Sequence, residues 1–220
     1  MIDKKYVTHQ REPFFEIVNK LITLNSVVLD VGPGDGSFAK YCKRDDFFLY
    51  EGNPESAENL KYNYPNTFQG QLPKLPFKDA MFDVIHMSHV IEHLQPQEVY
   101  DTLKEFDRCC KPGGAIVISA PLLWSGFYDD LSHIRPYPPA SYVKYLSNLG
   151  SNPTRTQISN IYTVEHMQYR YQLVDNKFRL RKKTGLIHKV FYKLGTFIRL
   201  SESIFTETGY TLVLRKSQNK

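Results

Sequence analysis

Apolar and polar positions along the chain follow two alternating rhythms. Between Glu12 and Leu24 the residues Phe14, Phe15, Val18, Leu21 and Ile22 recur at helical spacing, whereas Ser26 to Val31 is a short β-branched run with no helical period. The pattern predicts a helix and then a buried strand. Ser37 to Lys43 reads as a helix, Phe47 to Tyr50 as a strand, and Glu55 to Tyr62 as a helix opened by Asn53-Pro54, a capping residue followed by proline at the first helical position. Thr67 to Gln69 is a weak strand and Phe82 to Met87 a strong one. Gln97 to Cys110 places Val99, Leu103, Phe106 and Cys110 on one helical face, stopped by Pro112-Gly113-Gly114, and Ala115 to Ser119 is a wholly apolar strand. Strands alternating with helices of this length predict a mainly parallel sheet covered on both faces. Ser141 to Leu149 reads as a later helix ended by Gly150, and two β-rich stretches follow, Arg155 to Glu165 and Gly209 to Arg215.

At 220 residues one sizeable core is affordable, so a single domain over residues 1–220 is expected. Hydrophobic content of 41% and charged content of 23% argue against both disorder and a fibrous repeat. The first residues lack the apolar core of a secretion signal, and nowhere do 18 uncharged apolar residues run together. Three cysteines, Cys42 and the adjacent Cys109 and Cys110, form no even framework and have no metal-ligand spacing. The expectation is a cytoplasmic protein with buried thiols and no assigned metal ligand.

The net charge of +5 is concentrated. Between Asn176 and Leu200 stand eight basic residues and no acid, and subtracting these eight leaves −3 for the rest of the chain. Within this stretch Ile187, Val190, Phe191, Leu194, Phe197 and Ile198 share a helical face, with Lys189 and Lys193 on another. Such a segment either lies on an anionic membrane surface or covers the sheet with its apolar side.

The candidate chemistry sits where the first strand feeds the next helix, in Val28 to Gly36, VLDVGPGDG. Gly32, Gly34 and Gly36 let the backbone turn sharply and come close to a ligand. The dinucleotide fingerprint needs its third glycine at the sixth position, which here is Ser37. Asp30 and Asp35 flank the loop, and carboxylates there oppose a pyrophosphate but suit a cationic ligand with hydroxyls.

VLDVGPGDG resembles motif I of the class I S-adenosylmethionine-dependent methyltransferases. FLYEGNP, QGQLPKLPF, FDVIHMSHVIEHL and KPGGAIVIS resemble further segments of that family in register, so the resemblance covers about Val27 to Ala120. It implies an α/β, Rossmann-like, doubly wound seven-stranded sheet, mostly parallel with an antiparallel last strand. Residues 26–120 are then the cofactor-binding core, and 121–220 the acceptor-side loop, basic segment and closing strands. It also implies S-adenosylmethionine as cofactor, held by Asp30, Val31, Gly32, Pro33, Gly34 and Gly36, and by Glu51 with Gly52 and Asn53. Glu51 corresponds to the acid that takes both ribose hydroxyls, and a carboxylate offers two acceptor oxygens for a diol. Gln71 and Leu72 flank the adenine, with Gln71 standing where the family commonly has aspartate. Ser88, His89 and His93 line the cofactor, although His93 and Glu92 read equally well as packing or capping residues.

In DDLSHIRPYPPASY the segment around His133 resembles a His-x-Arg-Pro-aromatic stretch of a polysaccharide-associated branch. It marks His133 as base or acceptor orienter and Arg135 as the partner of an anionic group, while a structural pair stiffening the proline-rich loop is the competing reading. Trp124, Phe127 and Tyr128 are candidates for an acceptor wall. The nucleic-acid amino-methylating enzymes carry an Asn/Asp-Pro-Pro-aromatic base clamp where this chain reads MSHV, which argues against nucleic acid. The expected reaction is O-methylation of a sugar, glycan or other small molecule, with two rivals: a noncatalytic S-adenosylmethionine-binding subunit of a partner enzyme, and a nicotinamide-dependent oxidoreductase.

Overall fold

The computed structural model describes residues 2–149, 154–173 and 205–218. In chain order its elements are α1 (Glu12–Asn19), β1 (Val28–Val31), α2 (Ser37–Cys42), β2 (Phe48–Glu51), α3 (Pro54–Lys61), β3 (Thr67–Gln69), β4 (Phe82–Ser88), α4 (Pro96–Cys109), β5 (Cys110–Pro121), α5 (Ala140–Leu146), β6 (Tyr162–Leu173) and β7 (Phe205–Lys216). The strands form one seven-stranded sheet in the order β3-β2-β1-β4-β5-β7-β6. From β3 to β5 every pairing is parallel, and β7 runs antiparallel to both of its neighbours, as expected for the last strand.

Local chemistry sets the helix starts. Asn53 Oδ1 accepts from Ser56 N at 3.0 Å and Pro54 occupies the first position of α3. At α4 a capping box closes, with Gln95 N donating to Glu98 Oε2 at 2.7 Å. Successive strand residues point to opposite faces, and the sheet is covered on both. Leu29, Val31, Ile85, Met87, Ile116 and Ile118 pack with Leu103 and Phe106 of α4. Val28, Val84, Ala115 and Val117 pack with Phe14, Phe15 and Val18 of α1 and Phe38 of α2.

Several boundaries differ from the sequence reading: β5 begins at Cys110 rather than Ala115, drawing Pro112-Gly113-Gly114 into the strand, and β7 begins at Phe205 rather than Gly209. Helix α1 stops at Asn19, because Thr23 and Ser26 bond each other (Thr23 N to Ser26 Oγ, 2.9 Å) in a polar turn whose Thr23 and Ser26 carbonyls accept from Arg44. Helix α5 stops at Leu146, where Ser147 turns extended to bridge Ile161. The β-rich stretch expected from Arg155 becomes a strand only at Tyr162 and runs on to Leu173, since its length is set by pairing with β7. Leu173 faces Phe205 across that pair while Gly209 faces Pro121 at the end of β5. Strand β6 thus ends, and β7 begins, at the carboxyl edge of the parallel strands. The basic stretch 176–200 lies outside the described residues. No helix among those described is long and apolar enough to cross a membrane.

All three cysteines are free, and Cys109 and Cys110 are wholly buried. Burial pushes the thiol of Cys42 up to about 12, Cys109 to about 11 and Cys110 to about 12, from an ordinary 9.0. A folded-state pKa raised in this way contributes stability that is complete below the unfolded value and is lost as pH rises, because the unfolded thiols ionise first. The unfolding free energy should therefore hold below about pH 9 and decline by about pH 10. Urea titrations at several pH values check this, and stability rising over that interval would contradict it.

Candidate active site

The loops leaving β1, β2, β4 and β5 converge at the carboxyl edge of the parallel strands, the side on which open α/β sheets bind ligands. After β1 the chain passes through Gly32, Gly34 and Gly36 with φ of +66°, +59° and +76°. These conformations disfavour residues with a Cβ, but the three glycines serve different ends. A Cβ on Gly32 would stand 2.3 Å from Val90 Cγ2, and one on Gly36 would stand 2.8 Å from Tyr64 Cε2. A Cβ on Gly34 would meet nothing within 4 Å. Gly32 and Gly36 are thus packing positions, while Gly34 borders open space. Val31 and Pro33 are buried beneath the turn, which closes through Gly36 N donating to Pro33 O at 3.0 Å.

Glu51 ends β2 beside this turn. Its Oε1 accepts from Asn53 N at 2.8 Å and its Oε2 from Gly34 N at 3.4 Å, which orients the carboxylate and leaves lone pairs free. Asn53 spends its own side chain capping α3, so only its backbone and that of Gly52 border the site. The segment with Gln71 and Leu72 is pinned over the end of β2 by Tyr50, whose hydroxyl donates to Lys74 O at 2.7 Å. A Cβ on Gly70 would lie 2.3 Å from Tyr50 Oη, so Gly70 is what admits this clamp. Gln71 is exposed and Leu72 packs partly into the core. Asp30 lies differently from the sequence expectation of an acid lining the loop. Only 2% exposed, it meets His86 Nδ1 at 2.8 Å beneath the turn, because the strand's alternation directs it to the α1–α2 face.

Beyond β4, Ser88 and His89 reach the same edge. His89 takes φ of +56°, with its N–H on Ser119 O at 2.9 Å. Its Nδ1 lies 3.3 Å from Glu92 Oε1, yet its pKa is lowered, because burial outweighs the attraction of that carboxylate. Glu92 is 1% exposed and neither of its carboxylate oxygens has a hydrogen-bond partner among the described residues. Its carbonyl accepts from Ile134 N at 2.9 Å and Arg135 N at 3.3 Å, fastening the acceptor-side loop to the turn after β4. His93 Nδ1 lies 3.0 Å from Ser132 O, and His133 Nδ1 lies 2.5 Å from Phe127 O. The two imidazole rings stand 5.0 Å apart. Sequence reasoning placed His93 and His133 separately; the fold brings them together with Glu92, across about 40 residues of chain that no local spacing could bridge.

Arg135 is exposed, with its guanidinium 5.9 Å from the centre of the Tyr137 ring and no ion pair among the described residues. The loop is locked by a buried network instead. Tyr137 O lies 3.2 Å from the Tyr142 hydroxyl and 2.6 Å from that of Tyr210, while Tyr137 Oη donates to Leu94 O at 2.9 Å. Phe127 is fully buried with its ring 4.7 Å from that of His133, Trp124 packs over Gly126, and Tyr128 remains 59% exposed. Beside the proline-rich loop opens a cleft of about 720 Å³ lined by Leu122, Leu123, Pro136, Pro138, Tyr171 and Glu207.

A glycine turn with room at Gly34, next to a carboxylate oriented to take a diol, fits an adenosyl ligand. Together with the strand order and the antiparallel β7, it matches the Rossmann-like fold of the class I S-adenosylmethionine-dependent methyltransferases that the sequence resembles. Residues 29–118 match the methyltransferase domain family Methyltransf_11, and that similarity implies S-adenosylmethionine as the cofactor. A demethylmenaquinone methyltransferase of Chlorobaculum tepidum is 29% identical over 101 residues, covering 44% of this chain and 41% of that protein. An uncharacterized methyltransferase of Schizosaccharomyces pombe, C1B3.06c, is 31% identical over 114 residues, covering 44% of this chain and 40% of that protein. The chain thus spans less than half the length of these relatives. Over the whole fold, the crystal structure of a SAM-dependent methyltransferase from Archaeoglobus fulgidus superposes with a TM-score of 0.61 at 18% identity, covering 93% of this chain and 92% of that one.

Two substitutions separate packing from binding at the turn. Gly34→Val, whose Cβ meets nothing within 4 Å, should cost about 1–2 kcal/mol of stability from the left-handed backbone and abolish binding of S-adenosylhomocysteine. Gly32→Val collides with Val90 and should destabilise the fold more. Calorimetric titration alongside thermal unfolding checks both, and wild-type affinity in Gly34→Val would refute the assignment of the turn.

Proposed function

We propose that this protein transfers the methyl group of S-adenosylmethionine to a hydroxyl of a small molecule or glycan. The observation that carries the cofactor half is the open space at Gly34 beside the Glu51 carboxylate. When bound, S-adenosylmethionine supplies a methyl group on a positively charged sulfur that leaves as a neutral thioether. The chain's task is therefore positioning rather than leaving-group activation. Asp30, Val31, Gly32, Pro33, Gly34 and Gly36 shape the turn, with Glu51, Gly52 and Asn53 at the ribose, Gln71 and Leu72 at the adenine, and Ser88, His89 and His93 toward the methyl.

His133 supports an oxygen acceptor. A carbonyl has no proton to give, so His133 Nδ1 carries the hydrogen bonded to Phe127 O and Nε2 retains a lone pair to orient or receive the hydroxyl proton. Arg135, free of an ion pair among the described residues, faces solvent where an anionic acceptor group would arrive. The adjoining cleft has the size of a small-molecule site, and a relative named as a demethylmenaquinone methyltransferase acts on a small molecule. Strand β6 ends and β7 begins at this same edge, and the sequence between them carries eight basic residues, which favours a phosphate-bearing acceptor such as a lipid- or nucleotide-linked sugar and peripheral contact with an anionic membrane. Three free thiols are in keeping with the cytoplasm.

Incubation with methyl-labelled cofactor and a panel of sugar and small-molecule acceptors tests the transfer once S-adenosylhomocysteine binding is established. Cofactor binding without transfer to any acceptor would favour the noncatalytic subunit, and binding of NAD alone would favour the oxidoreductase. His133→Ala should keep cofactor affinity and lower kcat by about 100-fold or more; unchanged turnover would remove His133 from the reaction.

A further inference from the structure

The turn after β4 and the loop after β5 bring one carboxylate and two imidazoles into a single cluster. Ligand atoms of Glu92, His93 and His133 all lie within 4.8 Å of one another. Glu92 is 1% exposed, and both its oxygens lack a hydrogen-bond donor among the described residues. A buried carboxylate in that condition is costly unless a cation meets it. His89 at 3.3 Å and the partly shielded charge of Arg170 attract it, but neither closes a hydrogen bond on it.

The histidines are prepared in the same sense. His93 and His133 both direct Nδ1 at a backbone carbonyl, Ser132 O at 3.0 Å and Phe127 O at 2.5 Å. A carbonyl can only accept, so each Nδ1 carries a proton, and in the neutral ring each Nε2 keeps its lone pair, that of His133 lying 4.0 Å from Asp130 Oδ2. That outer-shell bond is the arrangement by which metal-binding histidines are fixed in tautomer and orientation. Glu92 adds its backbone to the same construction, since its carbonyl holds Ile134 N and Arg135 N and thus the loop that delivers His133.

We propose that Glu92, His93 and His133 form a binding site for a divalent transition-metal cation, on the acceptor side of the glycine turn. The donor set, two neutral imidazoles and one carboxylate, suits zinc, iron, manganese or cobalt rather than magnesium or calcium, which prefer all-oxygen shells. Donors around such an ion stand about 3–3.5 Å apart, within reach of small side-chain rotations from the present spacing. Three protein ligands leave further positions open, so the cation can take an acceptor oxygen, and His133, its Nε2 lone pair then spent on the ion, orients the acceptor through the cation rather than as a base. Binding of the cation does not depend on the transfer reaction; its use in orienting the acceptor rests on that reading.

The test is titration of the chelator-stripped full chain with Co2+, followed by calorimetry and by the visible d–d absorption of the bound ion. The wild-type protein should take one Co2+ per chain, with charge-transfer-free bands of a nitrogen and oxygen shell and an increase in Tm. Glu92→Gln, which keeps the volume and the backbone bonds, should weaken Co2+ at least about 10-fold, as should His93→Ala and His133→Ala. The exposed His166, remote in sequence from the cluster, serves as control, and His166→Ala should bind as wild type. Absence of stoichiometric Co2+ binding in the wild type, or undiminished binding in folded His93→Ala and His133→Ala, would overturn the site. S-adenosylhomocysteine titration of the same samples keeps the two readings apart. Nucleoside binding without Co2+ binding would sink the metal site alone, and Co2+ binding without nucleoside binding would sink the cofactor assignment alone.

Discussion

The structure depends on a close approach between two loops, the backbone of Gly32 against the side chain of Val90. No residue with a Cβ fits there, so the turn after β1 and the turn after β4 are locked in one relative position. From Val90 the constraint runs on to Glu92, whose carbonyl grips Ile134 and Arg135. It then reaches the buried hydroxyls of Tyr142 on α5 and Tyr210 on β7, which converge on Tyr137 O. The glycine turn after β1 and the proline-rich loop after β5, far apart in sequence, therefore share a single mount. Rigid mounting is what an in-line transfer requires, because orientation supplies most of its acceleration.

Buried polar groups cluster around that mount. Asp30 and His86 meet beneath the glycine turn with Asp30 Oδ2 and His86 Nε2 unpartnered among the described residues, and Glu92 lies in the turn after β4 with both oxygens likewise unpartnered. Groups of this kind detract from stability unless something compensates them, and they tend to gather where a site has work to do. The two sets differ in position. Asp30 and His86 face the helices α1 and α2, with Phe38 4.1 Å from the His86 ring, and brace the first strand from behind. Glu92 lies beside His93 and His133, with ligand atoms of all three within 4.8 Å of one another.

Much of this was legible in the order of residues. Short, nearly continuous apolar runs between helical runs of period 3.6 specify a parallel α/β sheet covered on both faces. Glycines spaced at 32, 34 and 36 announce a turn, because left-handed backbone favours residues without a Cβ. The end of α1 and the extent of β6 were not legible. The first is decided by the Thr23–Ser26 turn held by Arg44, and the second by a partner strand.

At the site, residue order determined the chemistry on offer: an acid at 51, histidines at 89, 93 and 133, and an arginine at 135. Tertiary structure alone decided which of these meet. Alternation along β1 sends Asp30 down to His86 rather than up to the loop, and a Tyr50 hydroxyl, invisible to any local pattern, fixes the segment carrying Gln71. Glu92, His93 and His133 gather only because strand pairing lays the turn after β4 next to the loop after β5. Side-chain type and local backbone preference are properties of neighbours in the chain, whereas burial, partners and tautomer are properties of neighbours in space.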